Sequence, residues 1–91
     1  MAKKQVHIFY SGMVQGVGFR FTTQKIAQDH NVCGWVRNMP DRRVEVLAEA
    51  ERESINAFID ELETVMGRYI HDKEVHIKSP EGEFKDFQIR F

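Results

Sequence analysis

The chain has 91 residues, enough for one domain, residues 1–91, with a single core and too few for two. Its 13 Lys+Arg against 14 Asp+Glu give a formal net charge of −1, which excludes the basic excess of an electrostatic nucleic-acid binder. The lone cysteine, Cys33, rules out an internal disulfide and suggests a reducing, cytoplasmic setting; no run approaches a signal peptide's apolar core or the roughly 18 apolar residues of a membrane span.

Gln5 to Ser11 alternates as a strand does, with Val6, Ile8 and Tyr10 on one face and His7, Phe9 and Ser11 on the other. The strand leads into Gly12-Met13-Val14-Gln15-Gly16-Val17-Gly18-Phe19-Arg20, where three glycines crowd ahead of a helix. Glycines let successive N–H groups turn inward as a nest, and a helix start adds its unpaired donors, a geometry that suits an anion. Arg20 closes the stretch with a planar, always charged fork that matches two oxygens of a phosphate or carboxylate. The spacing is neither Gly-x-Gly-x-x-Gly nor the Walker pattern, and on spacing alone the plainer reading is a glycine-rich turn feeding a helix.

A helix is predicted from about Arg20 to Asp29, with Phe19, Thr23, Ile26, Ala27 and His30 along one side and Asn31 as its stop. Val32 to Asn38 reads as a strand, Met39-Pro40-Asp41-Arg42 as a tight turn, and Arg43 to Glu49 as the second arm of a hairpin. In that arm Val44, Val46 and Ala48 are expected inside, with Glu45, Leu47 and Glu49 on a largely solvated face. A second helix, Arg52 to Met66, carries Ile55, Phe58, Ile59, Leu62, Val65 and Met66 as its stripe, with Gly67 as a C′ glycine.

Arg68 to Asp72 has no clear pattern; Glu74 to Lys78 alternates with Val75 and Ile77 expected inward, and Ser79-Pro80-Glu81-Gly82 reads as a turn. Phe84 to Phe91 closes the chain, with Phe87, Ile89 and Phe91 on one face. The order strand, helix, strand, strand, helix, strand, with a short extra strand at the end, implies an α+β class. Its expected form is a ferredoxin-like βαββαβ sandwich: a mainly antiparallel sheet with two helices on one face.

Gly12 to Arg20, together with Gly34-Trp35-Val36-Arg37-Asn38, resembles the two signature segments of the acylphosphatase family, and length and element order match along almost the whole chain. The resemblance implies hydrolysis of the carboxyl-phosphate bond of small acyl phosphates, without metal or cofactor, by a monomer. It implies that Arg20 and the backbone N–H groups of Gln15, Gly16, Val17, Gly18, Phe19 and Arg20 hold the phosphoryl group, while Asn38 orients the attacking water. Two positions depart from the family pattern, Arg42 in the hairpin and Ala50 at the end of the next strand, where glycine is usual.

The carboxylate leaving group has a conjugate-acid pKa of roughly 4, so departure needs no strong general acid, and positioning with charge stabilisation is what remains to be supplied. Against this stand blander readings. Arg20 is a helix-start cation, badly placed for the helix dipole; Asn38 is a strand-end residue satisfying a turn; Trp35 is a packing aromatic; Cys33 is a small buried residue. His7, His30, His71 and His76 have no metal-ligand spacing, and Glu49, Glu51 and Glu53 read as a solvated helix start. Ferredoxin-like sandwiches also bind RNA or sense small anions. The ribonucleoprotein motif is missing, which disfavours RNA, whereas a phosphate or carboxylate sensor would use the same cradle.

Overall fold

The structure, a computed structural model, describes residues 2–91. Strand β1 (Lys3–Gly12) is followed by helix α1 (Phe19–Asp29), the hairpin of β2 (Cys33–Asn38) and β3 (Val44–Glu51), and helix α2 (Arg52–Val65). A 3₁₀ turn (Gly67–Tyr69) then leads into β4 (Ile70–Lys78), and β5 (Phe87–Arg90) completes the sheet. The strand order is β4-β1-β3-β2-β5, with every neighbouring pair antiparallel except β2 and β5, which run parallel. This is the α+β ferredoxin-like sandwich that the element order implied.

The core lies between one sheet face and the two helices. Val6, Ile8 and Tyr10 of β1, Val36 of β2 and Val44, Val46 and Ala48 of β3 are buried against Phe19, Ile26 and Ala27 of α1 and Ile55, Phe58 and Leu62 of α2. Phe58 has no exposed surface and its ring centroid lies 6.0 Å from that of Phe87, so truncation to Ala would cost about 3–5 kcal/mol. Helix α1 stops where Asn31 takes a left-handed φ of 57°. The N–H of Val32 donates to Ala27 O at 2.8 Å and that of Asn31 to Gln28 O at 3.3 Å, the paired bonds that satisfy orphaned carbonyls at a helix end.

Several expectations do not survive. Val75 and Ile77 are 42% and 68% exposed: they point to the helix side, but β4 is an edge strand and α2 packs over β1 and β3. Val65, at the rim of the α2 stripe, is also exposed, and Phe91 stands clear of the core although Phe87 on the same face is buried. Gly67 is not a left-handed cap; the chain tightens directly into the 3₁₀ turn, where the N–H of Tyr69 donates to Met66 O at 3.0 Å. Cys33 is half-buried rather than buried.

The outer sheet face is less wet than alternation suggested, because β3 is the central strand and its neighbours' side chains close over it. Glu45, Leu47 and Glu49 are all buried. The Glu45 carboxylate accepts from His7 Nε2 and from Arg37 Nε, each at 2.6 Å; burial pushes its pKa up, but these donors outweigh it and hold the group below the ordinary range. Glu49 does not join a solvated helix start. The segment after β4, where a turn at 79–82 was expected, instead lies over it: the N–H groups of Glu81 and Gly82 each donate to its carboxylate at 2.7 Å. Gln5 Nε2 adds a third bond at 3.1 Å, and these donors override burial to keep the Glu49 pKa low.

Candidate active site

Topology fixes where the cradle and Asn38 meet. Strands β1 and β2 are both antiparallel to β3, so both end at the same edge of the sandwich. Tyr10 and Asn38 face Val44 from either side, two strand spacings or about 9–10 Å apart, and residues 13–18 run on from β1 at that end.

Gly16 and Gly18 give the loop its shape, with φ of 79° and 77° and nothing within 4 Å of where a Cβ would stand. Glycine is required there by conformation, not by lack of space. Gly18 is the N-cap of α1 and offers no side chain to the first-turn donors. Among the described residues, the N–H groups of Gln15 to Arg20 meet no acceptor within the chain. Six consecutive donors are therefore left to water or to a ligand.

Gly16, Gly18, Phe19 and Arg20 share with Asn38 a cavity of about 90 Å³, completed by Val14 and Phe21. At a liquid share of about 30 Å³ per water, that is room for about three waters or one small tetrahedral oxyanion. Arg20 is the second residue of α1, on the positive end of the helix dipole, and no carboxylate among the described residues lies within ion-pair distance of it. Its guanidinium carbon instead sits 4.9 Å from the centroid of the Phe91 ring.

Two of the expected loop residues do not line the cavity. Val17 packs against the core, half-buried. The Gln15 side chain turns to the hairpin, where its Nε2 donates to Met39 O and Arg43 O, each at 2.9 Å. Those two hydrogen bonds tie the loop to the turn just beyond Asn38. Sequence reasoning assigned only the backbone of Gln15 and gave Phe21 and Phe91 no part. Phe21 stood visibly beside Arg20, whereas placing Phe91 needed the parallel β2–β5 pairing, in which Arg37 faces Arg90 and Phe91 comes next, alongside Asn38.

Most of the other candidates are spent on structure. His7, His30 and His76 pair with Glu45, Glu61 and Glu74, and Trp35 lies under Arg90, whose guanidinium carbon is 4.5 Å from its ring centroid. Among the described residues no group of three His, Cys, Asp or Glu side chains converges, and no helix is long and apolar enough to cross a membrane.

Comparison with known proteins bears on the family and the fold. The Acylphosphatase family model matches residues 6–89. The chain belongs to the acylphosphatase family. A relative from Haloarcula marismortui, named Acylphosphatase, is 40% identical over the full length of both chains, and one of the same name from Methanospirillum hungatei is 41% identical over 86% of each. The crystal structure of acylphosphatase from Bacillus subtilis superposes with a TM-score of 0.87 at 30% identity, covering 97% of this chain and 99% of that one. The protein is thus an acylphosphatase enzyme whose substrate is a small acyl phosphate.

The departures from the family pattern differ in kind. Arg42 has φ of 78°, so the position demands the left-handed conformation that glycine adopts freely. Ala50 sits buried within β3 opposite Lys4, outside the positive-φ residues, and needs no glycine.

Proposed function

We propose that the enzyme cleaves acyl phosphates by in-line attack of a water on a phosphoryl group seated in the Gln15–Arg20 loop. The observation that carries this is the Arg20 guanidinium, without a carboxylate partner among the described residues, lining one small cavity with Asn38 beside a row of backbone N–H groups that have no acceptor among those residues. Arg20 and the N–H groups of Gln15, Gly16, Val17, Gly18, Phe19 and Arg20 hold the phosphoryl oxygens and gain strength as charge redistributes over them. Asn38, across the cavity, accepts from or donates to the water and aims it at phosphorus.

Among the described residues neither a carboxylate nor a histidine lines the cavity, so no side chain there serves as general base. The water's proton passes to a phosphoryl oxygen or to bulk solvent, and the carboxylate departs unprotonated, its conjugate acid having a pKa of about 4. The reaction proceeds without a metal ion. On the same reading the enzyme is a cytoplasmic monomer of one domain, in keeping with its lone half-buried Cys33.

The test separates the two side chains. Arg20→Ala weakens inhibition by inorganic phosphate and collapses kcat with benzoyl phosphate, because a charge-assisted contact to the group is lost in ground and transition states alike. Asn38→Ala leaves phosphate inhibition nearly intact and lowers kcat by about 10²-fold, the scale of one lost positioned polar group. Wild-type turnover in folded Asn38→Ala, or unchanged phosphate binding in Arg20→Ala, overturns these roles.

A further inference from the structure

Seven phenylalanines occur in the chain, and all lie within the described residues. Phe21 and Phe91 alone are exposed, at 73% and 102%, while the other five are buried or half-buried. Scattered exposed apolar residues need no explanation, but these two stand by one site, Phe21 in the cavity lining and Phe91 against the Arg20 guanidinium. Phe21 follows Arg20 in α1 and lines the cradle cavity itself. Phe91 arrives from the opposite side of the molecule's sequence: β5 runs parallel to β2, so residue 91 reaches the sheet end beside Asn38, and its ring lies against the Arg20 guanidinium.

An arginine paired with no carboxylate among the described residues, with one exposed ring against its guanidinium and another in the lining of its cavity, suits a ligand with an anionic head and an apolar body. An acyl phosphate of an aromatic or extended apolar acid has that form. With its phosphoryl group on Arg20, the acyl group leaves the cavity toward Phe21, which lines it, and toward Phe91, whose ring lies against the guanidinium just outside that lining. We propose that Phe21 and Phe91 form the acyl-side wall of the site and give the enzyme a preference for aromatic and other apolar acyl phosphates over short ones. This rests on Arg20 holding the phosphoryl group as proposed above. The rings contribute through area and edge or offset stacking, not hydrogen bonds, so the preference is graded with acyl size rather than selective for one acid. A second reading of Phe91 is that it only steadies Arg20, and the experiment below distinguishes the two.

The measurement is kcat/KM for benzoyl phosphate, followed by ultraviolet absorbance, and for acetyl phosphate, followed by release of inorganic phosphate, in the wild type, Phe21→Ala, Phe91→Ala and Phe91→Leu. The wild type favours benzoyl phosphate by about tenfold or more, and each alanine variant lowers that ratio by about three- to tenfold, mainly through KM, the scale of one lost ring contact. Phe91→Leu, which keeps apolar bulk, restores part of it. An unchanged ratio in both alanine variants overturns the proposal. So does an equal loss on both substrates with weakened phosphate inhibition in Phe91→Ala, which would make that ring a support for Arg20. Failure of the underlying reading has a different signature, namely phosphate inhibition untouched by Arg20→Ala. Both rings are exposed and their removal opens no core cavity, so the variants fold.

Discussion

Replacing Arg42 by glycine should make the protein more stable. The hairpin loop holds Pro40, Asp41 and Arg42 between Met39 and Arg43, closed by Met39 N–H donating to Arg43 O at 2.8 Å, with Arg42 N–H donating to Met39 O at 3.1 Å. This is the three-residue hairpin whose last loop position is left-handed, and Arg42 takes that position at φ of 78°. A Cβ in this conformation costs about 1–2 kcal/mol, and removing it returns that amount. Glycine also loosens the unfolded chain, which takes back about 0.4–1 kcal/mol. The Arg42 side chain is exposed and makes no hydrogen bond or ion pair among the described residues, so nothing else is lost; the turn's own ion pair, Arg43 Nε to Asp41 Oδ2 at 2.8 Å, stays. The net gain is about 1 kcal/mol, or a rise of about 4–8 °C in Tm for a domain of this size. Thermal and urea melts followed by circular dichroism measure it, and Arg42→Asn should recover part of the gain because Asn tolerates the left-handed region. A midpoint that stays put or falls refutes the strain argument and means the loop accepts arginine at no cost.

Other outcomes follow from the contacts around the site. Gln15→Ala should lower stability by about 1–2 kcal/mol, having lost two hydrogen bonds, and lower kcat more than it weakens phosphate inhibition, because the hairpin bearing Asn38 is released while the loop backbone remains; equal effects on both would count against the clamp. Glu49→Gln should cost on the order of 2 kcal/mol and speed amide exchange at Glu81 and Gly82, since an amide group cannot accept all three donors. The same loosening should come with acid: the folded Glu49 pKa is depressed, so its stabilisation is full above the ordinary carboxylate range and lost as pH falls through the lower folded value; amide exchange that is insensitive to acid would speak against it. Turnover of benzoyl phosphate should be flat across neutral pH and unaffected by dialysis against a chelator, whereas an essential group titrating near pH 7, or activity restored by a divalent ion, would require chemistry the cavity lining does not contain.

What the sequence displayed and what it hid divide along physical lines. The two periodicities, strong in Val6-Ile8-Tyr10 and in Ile55-Phe58-Leu62, report burial against a layer that lies directly over them, and these were legible. Val75 and Ile77 alternate just as well, yet their exposure depends on β4 being at the sheet edge, a property of strand order that no local pattern records. Glu45 and Glu49 misled for the complementary reason: in the central strand a carboxylate can be buried if donors from other elements reach it, and His7, Arg37 and the 81–82 backbone do. Asn31 and Arg42 both take positive φ; the first residue type suggests this by itself, the second only through the position it fills in a three-residue loop.

The location of the site follows from the same strand order. Strands β1, β2 and β5 all point one way past the central β3, so three chain ends far apart in sequence, at Gly12, Asn38 and Arg90, open onto one end of the sheet. The first releases the glycine loop and Arg20, the second carries Asn38, and the third brings Phe91 against Arg20. Gln15 then couples two of the three, because one amide group spans both carbonyls at the mouth of the hairpin. Strain at Arg42 lies inside the loop that those carbonyls bracket, so relieving it should tighten the hairpin without moving Asn38, whose place is set by its pairing with Val44 in the strands below. A gain in stability with no gain in turnover is therefore the expected result at position 42. A parallel rise in kcat would mean that hairpin strain reaches the water-positioning side chain through the clamp.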